Sequence, residues 1–184
     1  MQIYENSRME HQTTQIVFLI LPQIHLMDLA GPDQVFYEAI DYGANIEVKY
    51  CSFSDNLSTK SGLPIDKIEH FSNIEFKSND FLIVPGADVN YIHSEEFRQQ
   101  KDLLIWIKNL YAQKVTICSV CTGAFVLAYS GVLNGKNCTT HWKRTAELQR
   151  CFPNLKVIEN VLFNEHDNIY TSAGVASGID LALH

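Results

Sequence analysis

The sequence predicts an α/β fold with a mainly parallel sheet, on three observations. Short, unbroken apolar runs occur at 15–21 (QIVFLIL), at the start of 81–87 (FLIVPGA) and at 115–120 (VTICSV). Strands buried on both faces require such runs. A segment with helical spacing follows each of them. Strand and helix signals alternate along the chain, without an internal repeat or a low-complexity linker, as βα units do.

Taken in order, residues 1–14 are polar and read as a flexible leader, and the folded domain reads as 15–184. After the first strand, 28–40 (DLAGPDQVFYEAI) has Val35, Phe36, Ala39 and Ile40 at helical spacing, with Pro32 placed in a first turn. Residues 46–53 alternate as a second strand. The turn-rich stretch 54–79 suits irregular structure with a small hairpin. Ser94, Glu95 and Glu96 form a helix start, and that helix is expected to run to about Tyr111. An apolar helix follows at 122–131, ending at Gly131, and an amphipathic one at 141–152, stopped by Pro153. Short strands then lead to Ala173, and a last helix begins within GVASGIDLALH.

The totals narrow the function. The 184 residues carry a net charge of -7, with 46% hydrophobic and 19% charged residues, which suits one soluble domain with a sizeable core. An acidic surface repels phosphates, so the chain by itself does not suit nucleic acid or an anionic membrane. No run approaches the roughly 20 apolar residues that span a bilayer. Five cysteines, an odd number, argue for free thiols in a reducing compartment, and hence a cytoplasmic protein.

Cys118 and Cys121 form a C-x-x-C within VTICSVCTGAFVLAYSG, and three chemistries fit it. With Cys138 and His141 the pair has the ligand types of a structural zinc site, but Cys118 lies in an apolar strand rather than a polar knuckle. A redox pair needs both sulfurs within bridging distance at a helix start, whereas Cys118 in the strand points into the core. In the third reading Cys121 sits at the apex of a strand–turn–helix. Such a nucleophile elbow needs small residues two before and two after, here Ser119 and Gly123. The helix N-terminus would lower the Cys121 pKa, making it the first thiol alkylated and an oxidisable sensor, and the Thr122 amide would face an oxyanion. The plainer alternatives are a packing role for Cys121, an N-cap role for Asp28 and a capping or core role for His141.

Four stretches, HLMDLAGPDQVF, FLIVPGA, VTICSVCTGAFVLA and CTTHW, in this order, resemble the ThiJ/PfpI superfamily of class I glutamine amidotransferase-like proteins. The resemblance implies a flavodoxin-like three-layer sandwich, with helices on both faces of the sheet and a nucleophile-elbow cysteine. It implies catalytic roles for Cys121, Asp28 and His141, and ligand-binding backbone at Gly86, Ala87 and Thr122. No metal and no cofactor are expected. Two departures are visible. Ala87 stands where the family often has a second glycine, which requires φ < 0 there. Thr122 stands where protease-like members carry histidine, which argues against peptidase activity.

Two branches share the DLAGP and TTHW motifs: isonitrile hydratases and the sensor domains of AraC-type transcription regulators. Residues 140–184 are more similar to the regulator branch, and the chain stops at His184 inside an apolar helical pattern without a cap. The expectation is therefore a ligand- or redox-sensing domain with a small-molecule pocket around Cys121. It would form a homodimer and reach DNA only through a C-terminal helix-turn-helix domain outside these residues. The alternative is a cysteine-dependent enzyme such as an isonitrile hydratase.

Overall fold

The computed structural model describes residues 13–184. Residues 1–12, most of the expected leader, lie outside the described residues. The elements run β1 (Thr14–Leu19), α1 (Leu26–Asp41), β2 (Ile46–Ser52), β3 (Leu57–Ser58), β4 (Pro64–Ile65), β5 (Glu69–His70) and β6 (Phe81–Val84). Then come α2 (Val89–Ile92), α3 (Glu95–Arg98), α4 (Lys101–Ala112), β7 (Thr116–Val120) and α5 (Gly123–Ser130). The chain finishes with β8 (Asn137–Cys138), α6 (Thr145–Cys151), β9 (Lys156–Val157), β10 (Phe163–His166), β11 (Ile169–Ser172) and α7 (Ala176–Leu183). Thr14, the last residue of the expected leader, already pairs with Ile46 in β1.

The main sheet has seven strands in the order β10-β11-β7-β6-β1-β2-β5. All its pairs are parallel except β10 with β11. The expected small hairpin is the antiparallel pair β3–β4. Alternation along the strands divides the core in two. Val17 and Leu19 of β1, with Leu82 and Val84 of β6, pack under α4 and α5 with Leu103, Ile107 and Phe125. Ile16 and Phe18, with Ile83 and Val120, face the other side, against Leu29 and Phe36 of α1 and Leu181 of α7. Each fully buried side chain of this kind contributes about 1.5–3 kcal/mol. Helices α1 and α7 cross closely because Gly31 and Gly178 lack side chains. A Cβ at Gly31 would meet Ile179 at 2.9 Å, and one at Gly178 would meet Val120 at 2.8 Å.

Three helix boundaries differ from the sequence reading. Helix α1 starts at Leu26, so Pro32 lies inside it rather than in its first turn. The helix expected from Ser94 to Tyr111 breaks at Gln99-Gln100 into α3 and α4. Phe97 and Leu103 are both buried, yet six residues apart they fall on different faces of one continuous helix. The break rephases them, and Ser94 caps α3 by accepting from the Phe97 amide. Helix α6 starts at Thr145 instead of residue 141, because 141–144 form a turn in which the Arg144 amide donates to the His141 carbonyl at 2.7 Å.

Candidate functional site

Four neighbouring parallel strands, β11, β7, β6 and β1, deliver their carboxyl ends to one place. The chain leaves β1 toward β2 on one side and β6 toward β7 on the other, so the strand order switches between β1 and β6. Open α/β sheets form their binding crevices at such a switch. Here the crevice is a pocket of about 270 Å³, whose lining includes His25, Asp28, Cys121, Thr122, His141 and Val175.

Cys121 follows β7 directly and has φ +57, left-handed for a non-glycine residue. Such a conformation costs about 1–3 kcal/mol and needs support from its surroundings. The Cys121 amide donates to the Ser172 carbonyl at 3.1 Å, and its carbonyl accepts from the Thr140 hydroxyl at 2.8 Å. Three glycines leave room for the turn. A Cβ at Gly123 would stand 2.1 Å from the Val84 carbonyl oxygen; one at Gly174 would stand 2.4 Å from the Cys121 Cβ. A Cβ at Gly86 would stand 2.4 Å from Asp28 Oδ2. Glycine at 86 is thus required by close approach rather than by backbone conformation.

Asp28 is not the helix cap: His25 occupies that position, and Asp28 sits in the first turn of α1, 1% exposed. Its Oδ1 accepts from the Val175 amide at 2.8 Å, and its Oδ2 lies 3.3 Å from His25 Nδ1. His25 Nδ1 also lies 3.9 Å from Cys121 Sγ. The backbone amide of His25 donates to the Gly86 carbonyl at 2.8 Å, which fixes the start of α1 over the β6 exit. The structure therefore brings Cys121 and Asp28 together, and adds His25, which the sequence reading missed. His141 lines the pocket but stands back from this trio. Its Nδ1 accepts from the Lys143 amide, and its ring stacks on Trp142. Burial lowers the His141 pKa, partly opposed by the charge of Asp28.

The expected oxyanion backbone is only partly free. Thr122 donates its hydroxyl to the Ala87 carbonyl at 2.6 Å, and the Ala87 amide donates back to that hydroxyl at 3.0 Å. The Ala87 amide is therefore spent on the Thr122 side chain and not directed at a ligand. Ala87 is absent from the residues with positive φ, so alanine fits where a second glycine was expected.

Cys121 differs most from its sequence-based description. It is 2% exposed, and burial raises its thiol pKa, as do the charge of Asp28 and a hydrogen bond to it. The Thr122 amide and hydroxyl pull the other way and do not prevail. In place of the expected low-pKa, exposed thiol stands a buried one whose pKa is raised, because the desolvation and the carboxylate outweigh the helix N-terminus. The exposed cysteine is Cys151. All five cysteines are free. Cys118 faces α1 and α7 while Cys138 lies in the core under α4 and α5, so these two do not meet as zinc ligands. Cys118 instead lines a separate apolar cavity of about 360 Å³ with Phe36, Phe81 and Leu181, and burial pushes its thiol up to about 12.

Comparison with known proteins places this geometry. The DJ-1/PfpI family profile matches residues 14–184. An isonitrile hydratase of Pseudomonas putida is 31% identical over 170 residues, 92% of this chain and 69% of the relative. The HTH-type transcriptional regulator CdhR of Pseudomonas aeruginosa is 37% identical over 81 residues, 44% of this chain and 24% of the regulator. Among solved structures, an AraC family transcriptional regulator from Pseudomonas putida superposes with a TM-score of 0.74 at 18% identity, covering 92% of this chain and 89% of that one. A ThiJ/PfpI family protein from Pseudomonas syringae gives a TM-score of 0.74 at 24% identity, covering 100% of this chain and 73% of its own. Among the described residues, no helix is long and apolar enough to cross a membrane.

Proposed function

The chain belongs to the DJ-1/PfpI family, and on that premise we propose that it is the ligand-sensing domain of an AraC-type transcription regulator. It takes a small polar molecule into the pocket around Cys121. The observation that carries this reading is the burial of Cys121, 2% exposed beside Asp28, which disfavours the thiolate. A neutral thiol, a carboxylate, two histidines and the Thr122 amide can bind a polar ligand without committing to covalent chemistry. The same protonation weakens the redox version, because the thiolate is the species that oxidises. The similarity to helix-turn-helix regulators supports the sensor role. In this reading the domain works in the cytoplasm as a homodimer. A chain of net charge -7 leaves duplex contact to a helix-turn-helix segment outside these 184 residues.

A second reading is favoured by the 31% identity to an isonitrile hydratase across 92% of this chain. There the Cys121 sulfur bonds to the isonitrile carbon, and the thiol proton passes to that carbon by way of Asp28. Water then adds to the thioimidate and the thiol leaves, so one isonitrile and one water become an N-substituted formamide. Incubation with an alkyl isonitrile separates the two. The sensor reading expects no formamide above the buffer rate. Formamide that disappears in Cys121→Ser gives first place to the enzyme.

A further inference from the structure

We propose that His25, Asp28 and Cys121 form a binding site for a thiophilic divalent cation of the zinc class. Among the described residues these three alone form a group whose ligand atoms all lie within 4.8 Å of one another. The site departs from the expectation that the pocket holds no metal, and it uses neither Cys118, Cys138 nor His141.

Two of the three edges are close to the size zinc needs, and the third, from Asp28 to Cys121, lies within 4.8 Å. Zinc bonds of about 2.0–2.1 Å to nitrogen or oxygen and about 2.3 Å to sulfur give tetrahedral edges of roughly 3.4 Å between N and O and roughly 3.6 Å between N and S. The observed edges are 3.3 Å from His25 Nδ1 to Asp28 Oδ2 and 3.9 Å from His25 Nδ1 to Cys121 Sγ. Outer contacts aim two of the ligands. The Val175 amide holds Asp28 Oδ1 and leaves Oδ2 facing the other two groups, while the His25 backbone is tied to Gly86. Such supporting bonds orient metal ligands. The fourth side opens into the 270 Å³ pocket, which leaves a coordination position for water or a ligand.

The obvious rival is a Cys–His–Asp proton relay. A relay uses both ring nitrogens, one toward the thiol and one toward the carboxylate. Here the thiol and the carboxylate both approach Nδ1. Three donors converging on one point suit a cation better than a relay. A buried thiolate beside a carboxylate is repelled, and a dication removes that repulsion. Binding forms the sulfur–metal bond, breaks the S–H bond and releases the proton to water. The site rests on these three side chains whether the pocket senses or turns over its ligand.

The test is titration of the metal-free protein, in a Cys151→Ser background, with Co²⁺ followed by Zn²⁺. The expected result is one equivalent of Co²⁺ with sulfur-to-cobalt charge transfer and the visible bands of a four-coordinate site, both erased by Zn²⁺. Cys121→Ser abolishes the charge transfer, and His25→Gln weakens Co²⁺ binding at least about tenfold. His25 lies partly exposed at the start of α1, so its replacement leaves the core intact and keeps the test valid if Cys121→Ser misfolds. Absence of the charge-transfer band in the parent protein overturns the proposal. So does a band that survives Cys121→Ser, or unchanged affinity in His25→Gln. The readout needs neither turnover nor a sensed ligand, so it stands apart from the isonitrile test.

Discussion

The backbone amide of Val175 donates to the Asp28 carboxylate at 2.8 Å, joining two residues 147 positions apart. The bond fastens the start of α7 to the start of α1 directly over Cys121. Val175 has φ +51, a costly conformation for a β-branched residue, and the bond helps to hold it there. Asp28→Ala leaves that amide without its acceptor and is expected to cost about 1–3 kcal/mol. Asp28→Asn keeps an oxygen for it and is expected to cost less. Thermal melts of the two variants check this ranking; an Asp28→Ala protein that melts with the parent contradicts it.

The pocket floor depends on missing side chains. Gly174 has φ +96, and a Cβ there would stand 2.8 Å from Cys121 Sγ. Gly174→Ala therefore carries both a steric and a backbone penalty, expected to exceed about 2 kcal/mol. Gly86→Ala is penalised by sterics alone, since its Cβ would press on Asp28 and Thr122. Denaturant midpoints should fall for both variants, further for Gly174→Ala. A midpoint unchanged at Gly174 sinks this picture of the site.

Thiol accessibility sets a third expectation. Cys151 is exposed, whereas Cys51, Cys118, Cys121 and Cys138 are buried. Burial pushes Cys51 to about 12 and Cys138 to about 11. Peptide mapping after brief alkylation of the native protein at neutral pH should find Cys151 modified first. These raised values also bear on stability. A thiol whose pKa is higher folded than unfolded contributes fully below its ordinary value near 9 and loses that contribution as pH rises through the folded value. Unfolding midpoints should accordingly fall between about pH 9 and pH 11, and a midpoint that rises there contradicts the burial of these thiols.

The fold was legible because its signals are local. Apolar runs, a Gly131 stop and small residues flanking Cys121 each speak through neighbouring positions. The break between α3 and α4 was legible in principle, since Gln100 and Lys101 occupy the positions that a continuous helix from Phe97 would bury. The site was less so. His25 precedes Asp28 by three residues, a spacing that places both at one helix start, but nothing in that spacing says that Cys121 will meet them. Gly174 looks like an ordinary strand-to-helix glycine until its contact with Cys121 is seen. The sign of the Cys121 shift failed for the same reason. The helix start that lowers it is adjacent in sequence, while the carboxylate and much of the burial that raise it arrive from distant segments.

The most direct test of the account is the pH dependence of Cys121 alkylation, measured residue by residue by mass spectrometry in the Cys151→Ser background. The account holds that this thiol rests neutral beside Asp28, so the rate should rise about tenfold per pH unit from pH 6 to 9 without levelling. Asp28→Asn should raise the rate throughout, because the opposing charge is gone. A rate that is already flat by pH 7 would mean a resting thiolate. The pocket would then hold a ready nucleophile, and the sensor reading would yield to the enzyme.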